Sequence, residues 1–385
     1  MDFNSLFLMA KENILAVSFV IGIGCLVGLI IGFYIFKKMD TFLSFYNVDN
    51  HKKPIKWIVA FLFFISCINV FSLSSIIAIY FVFSSVISDI INFICEFISG
   101  KVDFKALNFV SKLNKSGILA IIIFAILIIS GLYGINHIQE TDYEITSDKV
   151  NESYTVLFIS DTHYGTIQDT QLFKNAIVDM NNLKPDIVIL GGDMVDDSTS
   201  KAHMKEIFRE ISKINSTYGT YYIYGNHDRS SKSISGDNDS FSEKELNNTI
   251  KSNNITILSD DKKELGNILL IGRNDKGFSN LPRLSSNQLL NGVDLSKFII
   301  VADHQPKEYE ENSKNGADLQ VSGHTHGGQI FPMNIIYDLV GILNYGEYKI
   351  GNMTHITSSG FTGWGWPLKN ANPCEYVVIH INPSQ

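Results

Sequence analysis

The hydrophobic pattern divides the chain near residue 136. Upstream, apolar residues run on without a polar face. Ile14 to Phe36 is 23 residues with no charge, and Gly117 to Ile135 is 19 more. A helix rises about 1.5 Å per residue and the hydrocarbon core of a bilayer is about 30 Å thick, so each run predicts a crossing. Between them, Trp57 to Ile98 holds 42 residues with only Asp89 and Glu96 charged. That is too long for one crossing and close to two. The polar, small residues around Asn69, Ser72, Ser74 and Ser75 offer a place to reverse. The pattern predicts a bundle of about four transmembrane helices, at roughly 14–36, 57–74, 76–98 and 117–135. Three spans, one of them long and tilted, are the alternative.

Downstream, short β-rich runs alternate with amphipathic stretches. Strands are predicted over 154–160, 186–191, 220–224, 255–258, 268–272, 298–302, 318–322, 354–358 and 375–381, and helices over 170–183, 201–214, 243–252 and 285–291. Such alternation predicts an α/β domain, with parallel strands covered by helices. The polar, acidic stretch 137–152 reads as a linker, and the Ser/Asp/Asn-rich stretch 230–242 as a mobile loop. The expected organisation is a transmembrane region 1–136, a linker 137–152 and a soluble domain 153–385.

Charge follows the same division. Residues 1–136 hold ten lysines against seven acids, and residues 137–385 hold 21 bases against 32 acids, for a net charge of −8. An acidic second part excludes general nucleic-acid binding, which needs a basic surface. Lys37, Lys38, Lys52, Lys53 and Lys56 follow the first span, and Lys101, Lys105, Lys112 and Lys115 precede the last. Cytoplasmic loops are enriched in lysine and arginine. Four spans put both clusters inside, both termini outside, and the soluble domain on the exterior of the cell membrane. No A-x-A-like cleavage site follows the first apolar run, which is expected to be retained. Cys25, Cys67, Cys95 and Cys374 form no disulfide framework.

Candidate chemistry collects where strands end. Asp161-Thr162-His163 follows the first strand, Gly192-Asp193-Met194-Val195-Asp196 the second, and Gly225-Asn226-His227-Asp228 the third. Two later strands deliver His304 with Pro306, and Gly323-His324-Thr325-His326-Gly327-Gly328-Gln329. In parallel α/β sheets, sites form beyond the carboxyl ends of the strands. Five of the ten histidines lie in these motifs. Carboxylates with imidazoles suit divalent Zn, Mn or Fe. Seven such donors are too many for one tetrahedral ion and suit two ions sharing a bridge. Asp161 and Asp193 leave such a pair with net positive charge, which favours a phosphate oxyanion.

In this order, Asp-x-His, Gly-Asp-x-x-Asp, Gly-Asn-His-Asp, His-x-Pro and Gly-His-Thr-His resemble the calcineurin-like metallophosphoesterase family. The Gly-Gly-Gln extension resembles its bacterial membrane-associated or exported subgroup. The resemblance covers about residues 154–381, including a similar tail from Ser359-Gly360-Phe361 to Pro373-Cys374-Glu375. It departs at Lys369 and Cys374, where the subgroup implies Arg and Pro; these departures are expected to alter substrate contacts and not the metal site. The family implies a four-layer α-β-β-α sandwich and two divalent metal ions. By resemblance, Asp161, His163 and His326 bind the first ion, Asn226, His304 and His324 the second, and Asp193 bridges them. His227 resembles the histidine facing the leaving-group oxygen, and Asp196 the carboxylate that orients it; Asp228 is the weaker candidate for that partner.

Several residues have plainer readings. Asp228 reads as a turn residue, Arg229 as a solvated surface base, and Asp197 as a surface acid. His137, His203, His355 and His380 lack the spacing of ligands. Trp364 and Trp366 line either a lipid- or substrate-facing rim or an ordinary packing surface. Asp89 and Glu96 read as interfacial acids. The function expected is hydrolysis of phosphomonoesters or phosphodiesters by a metal-activated hydroxide, on lipid-linked or extracellular phosphate substrates beside membrane lipids. The alternative is a metal-binding sensor or scaffold membrane protein with little catalysis.

Overall fold

The computed structural model describes residues 14–48, 53–70, 72–99, 105–229, 240–275 and 282–384. Lys52, Lys101 and most of the predicted loop 230–242 lie outside the described residues. Two compact units are present, 1–130 and 131–385.

The first unit is helical: α1 (Ile14–Phe45), α2 (Lys53–Ser66), α3 (Leu73–Ser99), α4 (Lys105–Lys115) and most of α5 (Ile118–Ile135). Among the described residues, α1, α3 and α5 are long and apolar enough to cross a membrane. The second predicted span differs from the pattern. α2 begins at Lys53 and stops at Ser66, and its 14 residues reach only about 21 Å. Serine hydroxyls end it early by taking backbone partners. Ser66 Oγ donates to Phe63 O at 2.7 Å, and Ser74 Oγ donates to the carbonyl of Ser66 at 3.4 Å. The predicted reversal therefore falls between α2 and α3.

A stripe at four-residue spacing, Gly24, Gly28 and Gly32, lets α1 approach α2 closely. A Cβ at Gly28 would lie 2.8 Å from Phe64 O, and one at Gly32 would lie 3.1 Å from Ala60 O. Small residues are how membrane helices gain packing contact when lipid offers no hydrophobic drive. The order of these contacts makes α1 and α2 antiparallel. Lys38 of α1 reaches Asp89 of α3 and Asn114 of α4, so the lysine-rich ends of α1 and α4 meet.

The second unit is built on two six-stranded sheets. One has the order β1 (Ile138–Ser147), β12 (Cys374–Pro383), β2 (Tyr154–Ile159), β3 (Ile187–Leu190), β4 (Thr220–Tyr222), β5 (Ile255–Ile257). The other has the order β10 (Gly346–Ile350), β11 (Met353–Thr357), β9 (Leu319–Ser322), β8 (Phe298–Ala302), β7 (Ile268–Gly272), β6 (Asp261–Leu265). Helices α6 (Thr170–Asn182), α7 (Lys201–Ile211) and α8 (Glu243–Ser252) connect the first sheet; α9 (Ser286–Leu290) and α10 (Tyr309–Lys314) flank the strands of the second. One apolar core, with Phe158, Ile189, Ile300 and Val321, draws on both sheets. Leu157, Leu190, Phe173 and Phe208 form a second core with the helices, and Ile299, Val301 and Leu289 a third.

The expected linker is a strand. Ile138–Ser147 pairs in parallel with β12 over ten residues, Ile138 opposite Cys374 through Ser147 opposite Pro383. Its acids point outward along a sheet edge, which discourages pairing with other chains and gives the strand a linker's composition. β2, β3 and β4 are parallel neighbours, as are β8 and β9. These are the strands whose carboxyl ends carry the candidate donors.

Candidate metal centre

The donor-bearing loops adopt backbone that side chains disfavour. φ is positive at Asp161 (53°), His163 (36°), Asp193 (51°), His324 (72°) and His326 (50°). Left-handed backbone at non-glycine residues costs roughly 1–3 kcal/mol each and persists where the surroundings enforce it. The surroundings here are tight. A Cβ at Gly225 would overlap Asp193 Oδ1, and one at Gly323 would overlap Asp161 Oδ2.

These turns gather six of the seven expected donors into two groups. Asp161, His163 and His326 form one, and Asp193, His304 and His324 the other, with ligand atoms in each group within 4.8 Å of one another. The seventh, Asn226, joins the second group, with Oδ1 at 3.1 Å from His304 Nε2. Asp193 Oδ2 lies between the groups, 3.1 Å from His304 Nε2 and 4.0 Å from His163 Nε2.

The tautomers follow from the partners. His304 Nδ1 donates to the carbonyl of Gly191 at 2.9 Å. Its Nε2 therefore faces Asp193 Oδ2 and Asn226 Oδ1; once that nitrogen gives up its proton, three electron pairs converge where a cation would sit. His326 Nδ1 donates to Thr362 O at 3.0 Å, which leaves its Nε2 lone pair 3.7 Å from Asp161 Oδ1. His163 Nε2 is buried with no hydrogen-bond partner among the described residues. The donor set fits a pair of divalent ions.

Electrostatics agree. Burial works against ionising Asp161 and Asp193, yet His326 and His304 beside Asp161, and His304 and His227 beside Asp193, hold both below the usual carboxylate range. Burial pushes His324 down to about 4, with the charge of His304 adding to it, and His326 down to about 3. Burial also opposes a charge on His304, but the Asp193 carboxylate outweighs it and holds the imidazole well above its usual value. A metal ion would displace that proton.

His227 stands beside the donors. Its backbone N–H donates to Asp193 Oδ1 at 2.8 Å, and its ring lies 5.1 Å from that of Trp364. Burial lowers its pKa, but Asp193 and then Asp197 raise it further, up to about 9. The expected partner differs from the observed one. Asp196 Oδ2 lies 3.1 Å from His163 Nδ1, whereas Asp197 Oδ2 lies 3.9 Å from His227 Nδ1. The cause is local: the backbone N–H of Asp196 donates to Thr199 Oγ1 and its Oδ1 accepts from the backbone N–H of Ser198, which aims Oδ2 at His163. Asp228 accepts from the backbone N–H groups of Asp193, Val195 and Gly225 at 2.8, 3.2 and 2.6 Å, the work of a turn residue.

Other positions depart from expectation. Arg229 is not a solvated base; it stacks 3.7 Å over Tyr224 and donates to Glu243, Asn274 and the carbonyl of Asp275. Lys369 is fully buried and faces no substrate space. Its Nζ donates to the carbonyls of Ser359, Gly360 and Thr362, and Thr362 O also accepts from His326. Burial lowers its pKa. Two residues escaped sequence reasoning. Gln329 Nε2 donates to the carbonyls of Trp366 and Leu368 while its Oε1 accepts from Trp364 N–H, so one side chain suspends the tryptophan loop. Glu375 Oε1 accepts from Ser358 Oγ and Ser359 N–H at 2.9 and 3.0 Å, fixing the loop that holds Gly360 against Asp161. Their place in quoted motifs was the available signal. His137, His203, His355 and His380 are in neither donor group.

A family model described as calcineurin-like phosphoesterase matches residues 154–328. The chain is 30% identical over 250 residues to an uncharacterized metallophosphoesterase of Helicobacter pylori, covering 64% of each chain. It is 26% identical over 278 residues to a transmembrane protein with metallophosphoesterase domain of Danio rerio, covering 69% of this chain and 62% of that one. The chain thus covers just under two thirds of these relatives' length. Among solved structures it is similar to the phosphopantetheinyl hydrolase of Mycobacterium tuberculosis, with 12% identity, a TM-score of 0.38, and coverage of 55% of this chain and 91% of that one.

Proposed function

We propose, from the premise that residues 154–328 of this chain are a calcineurin-like phosphoesterase domain, that the protein is a membrane-anchored, metal-dependent phosphoesterase. The observation that carries this reading is Asp193, whose Oδ2 is within 4.0 Å of an imidazole nitrogen in each donor group. Asp161, His163 and His326 would hold one divalent ion, Asn226, His304 and His324 the other, and Asp193 both. When bound, such a pair of Mn, Fe or Zn ions lowers the pKa of a water and neutralises charge on a phosphate. His227 carries a proton that it can give to the departing oxygen, and Asp197 sustains that proton from the outer side. Asp196 sets the ring of His163 and so acts on the first ion.

The substrate would be a phosphomonoester or phosphodiester on a lipid-linked or extracellular molecule. The lysines near the ends of α1 and α4 support a cytoplasmic placement of those ends. With α2 and α3 as an out-and-back pair, the catalytic unit faces the exterior; a C-terminal alkaline phosphatase fusion should then be active.

The test is the full-length protein, reloaded with Mn, assayed on p-nitrophenyl phosphate, its bis ester, nucleotides and phospholipids. Hydrolysis of at least one class is expected. His227→Ala should lower turnover by about 10²–10⁴ and leave metal content unchanged. A metal-binding scaffold would show no hydrolysis before or after the change.

A further inference from the structure

The segment after the last metal motif carries an apolar surface that none of the described residues of the second unit covers. Helix α11 (Met333–Leu339) buries none of its residues. Leu339 is 80% exposed and Val340 65%, and Ile335, Ile336 and Ile342 are exposed beside them. Between Gly327 and Tyr345 the single charge is Asp338. Its Oδ1 accepts from Asn344 Nδ2 at 2.5 Å, so the carboxylate is used within the loop. Soluble surfaces seldom leave such a patch bare unless something binds it.

The segment is fixed at both ends. Thr325 Oγ1, between two donor histidines, donates to Asn344 O at 2.6 Å. At the other end, Phe331 N–H donates to Asn370 Oδ1 at 2.9 Å. Asn370 belongs to the stretch 368–370, which lies on the last turn of α5. Lys369 N–H donates to Gly131 O at 3.0 Å, and a Cβ at Gly131 would lie 3.2 Å from the Leu368 side chain. α5 is long and apolar enough to span a bilayer and ends at Ile135. Its last turn also exposes Leu132 and Tyr133. The bare surface is thus joined, through one loop, to the point where the chain leaves the membrane.

We propose that α11 and the turn after it dock on the lipid bilayer, placing Ile335, Ile336, Leu339, Val340 and Ile342 in the boundary between headgroups and acyl chains. Continuity with the end of α5 selects lipid over a second copy of the chain. The rim residues Trp364 and Trp366 have the amphipathic character that suits this depth. The docked surface holds the metal-motif loop beside the headgroups, where phosphates carried by the membrane are presented. The proposal goes beyond the phosphoesterase reading, and its test uses no turnover, so either can fail alone.

The experiment places a photoreactive benzophenone side chain at Leu339 in the full-length protein, reconstituted in nanodiscs of phosphatidylethanolamine and phosphatidylglycerol. A matched protein carries it at Val178, an exposed position on α6. After irradiation, intact-mass spectrometry should show phospholipid adducts at Leu339 and none at Val178. In the Leu339-labelled protein, Val340→Glu should lose most of the adduct. Adducts to a second copy of the chain would overturn the proposal, as would lipid adducts no more frequent at Leu339 than at Val178. Both labelled positions project outward, so folding is not at issue.

Discussion

Each of the two units holds a group of interacting charged side chains, and the two groups are built on opposite terms. In the helical unit, Asp89 accepts from Lys38, from Tyr34 OH at 2.7 Å and from Asn114 Nδ2 at 3.1 Å. Asn114 also donates to Ser88 O at 2.8 Å and accepts from Lys38 at 3.1 Å. One positive charge meets one negative charge, and the polar atoms match in pairs. In the second unit, two carboxylates and four imidazoles converge, a buried nitrogen of His163 has no hydrogen-bond partner among the described residues, and the oxygens of Asp193 and Asn226 both face His304 Nε2. A cluster of charges alone therefore does not mark a site. What marks it is a donor set that stays incomplete until something positive arrives.

The largest effect should come from Asp193→Ala, which removes the oxygen shared by both groups. Turnover should vanish and metal content should fall at both positions, while the folded core persists by circular dichroism. Retention of two ions at native affinity would end the claim that Asp193 bridges.

A finer division separates adjacent acids. Asp196→Asn should weaken metal affinity about 10–100-fold, as expected for a group that orients a ligand, measured by titration with Mn. Asp197→Asn should leave metal affinity unchanged and move the basic limb of the pH–rate profile to lower pH. The sign follows from His227, whose acid form is populated below about 9 partly because Asp197 favours it. Removing that carboxylate lowers the pKa, so the proton is lost earlier as pH rises. The opposite assignment would exchange the two outcomes.

The smallest effect belongs to the paired cluster. Lys38→Met should destabilise the helical unit by about 1 kcal/mol, near the limit for an exposed pair, because the Asp89 side chain is 41% exposed. Melting in detergent measures it, and turnover on a soluble ester should be unchanged. Adding Asp89→Asn should return part of the loss.

Much of this was readable from the letters, for a physical reason. A donor at a strand's carboxyl end sits in a short motif, with a glycine beside Asp193, Asn226, His324 and His326, so these and Asp161 and His304 announce themselves locally. Buried strands such as β3 and β8 are runs of apolar residues and were equally plain. β1 was not, because an edge strand that carries acids outward resembles a linker. The exchange of Asp196 and Asp197 was hidden because one residue's step along a turn redirects a side chain, and only backbone bonds such as Asp196 N–H to Thr199 decide it. Early termination of α2 depended on serine hydroxyls choosing carbonyl partners, which hydropathy does not register.

The provenance of the donors has a mechanical consequence. Each group draws on both sheets: Asp161 and His163 from the end of β2 with His326 beyond β9, and Asp193 beyond β3 with His304 and His324 beyond β8 and β9. A cation lodged in either group would be a rivet between the two sheets at the strand ends. Stripping the ions should let those ends part first, so amide exchange there, well before global melting, would report how much each rivet carries.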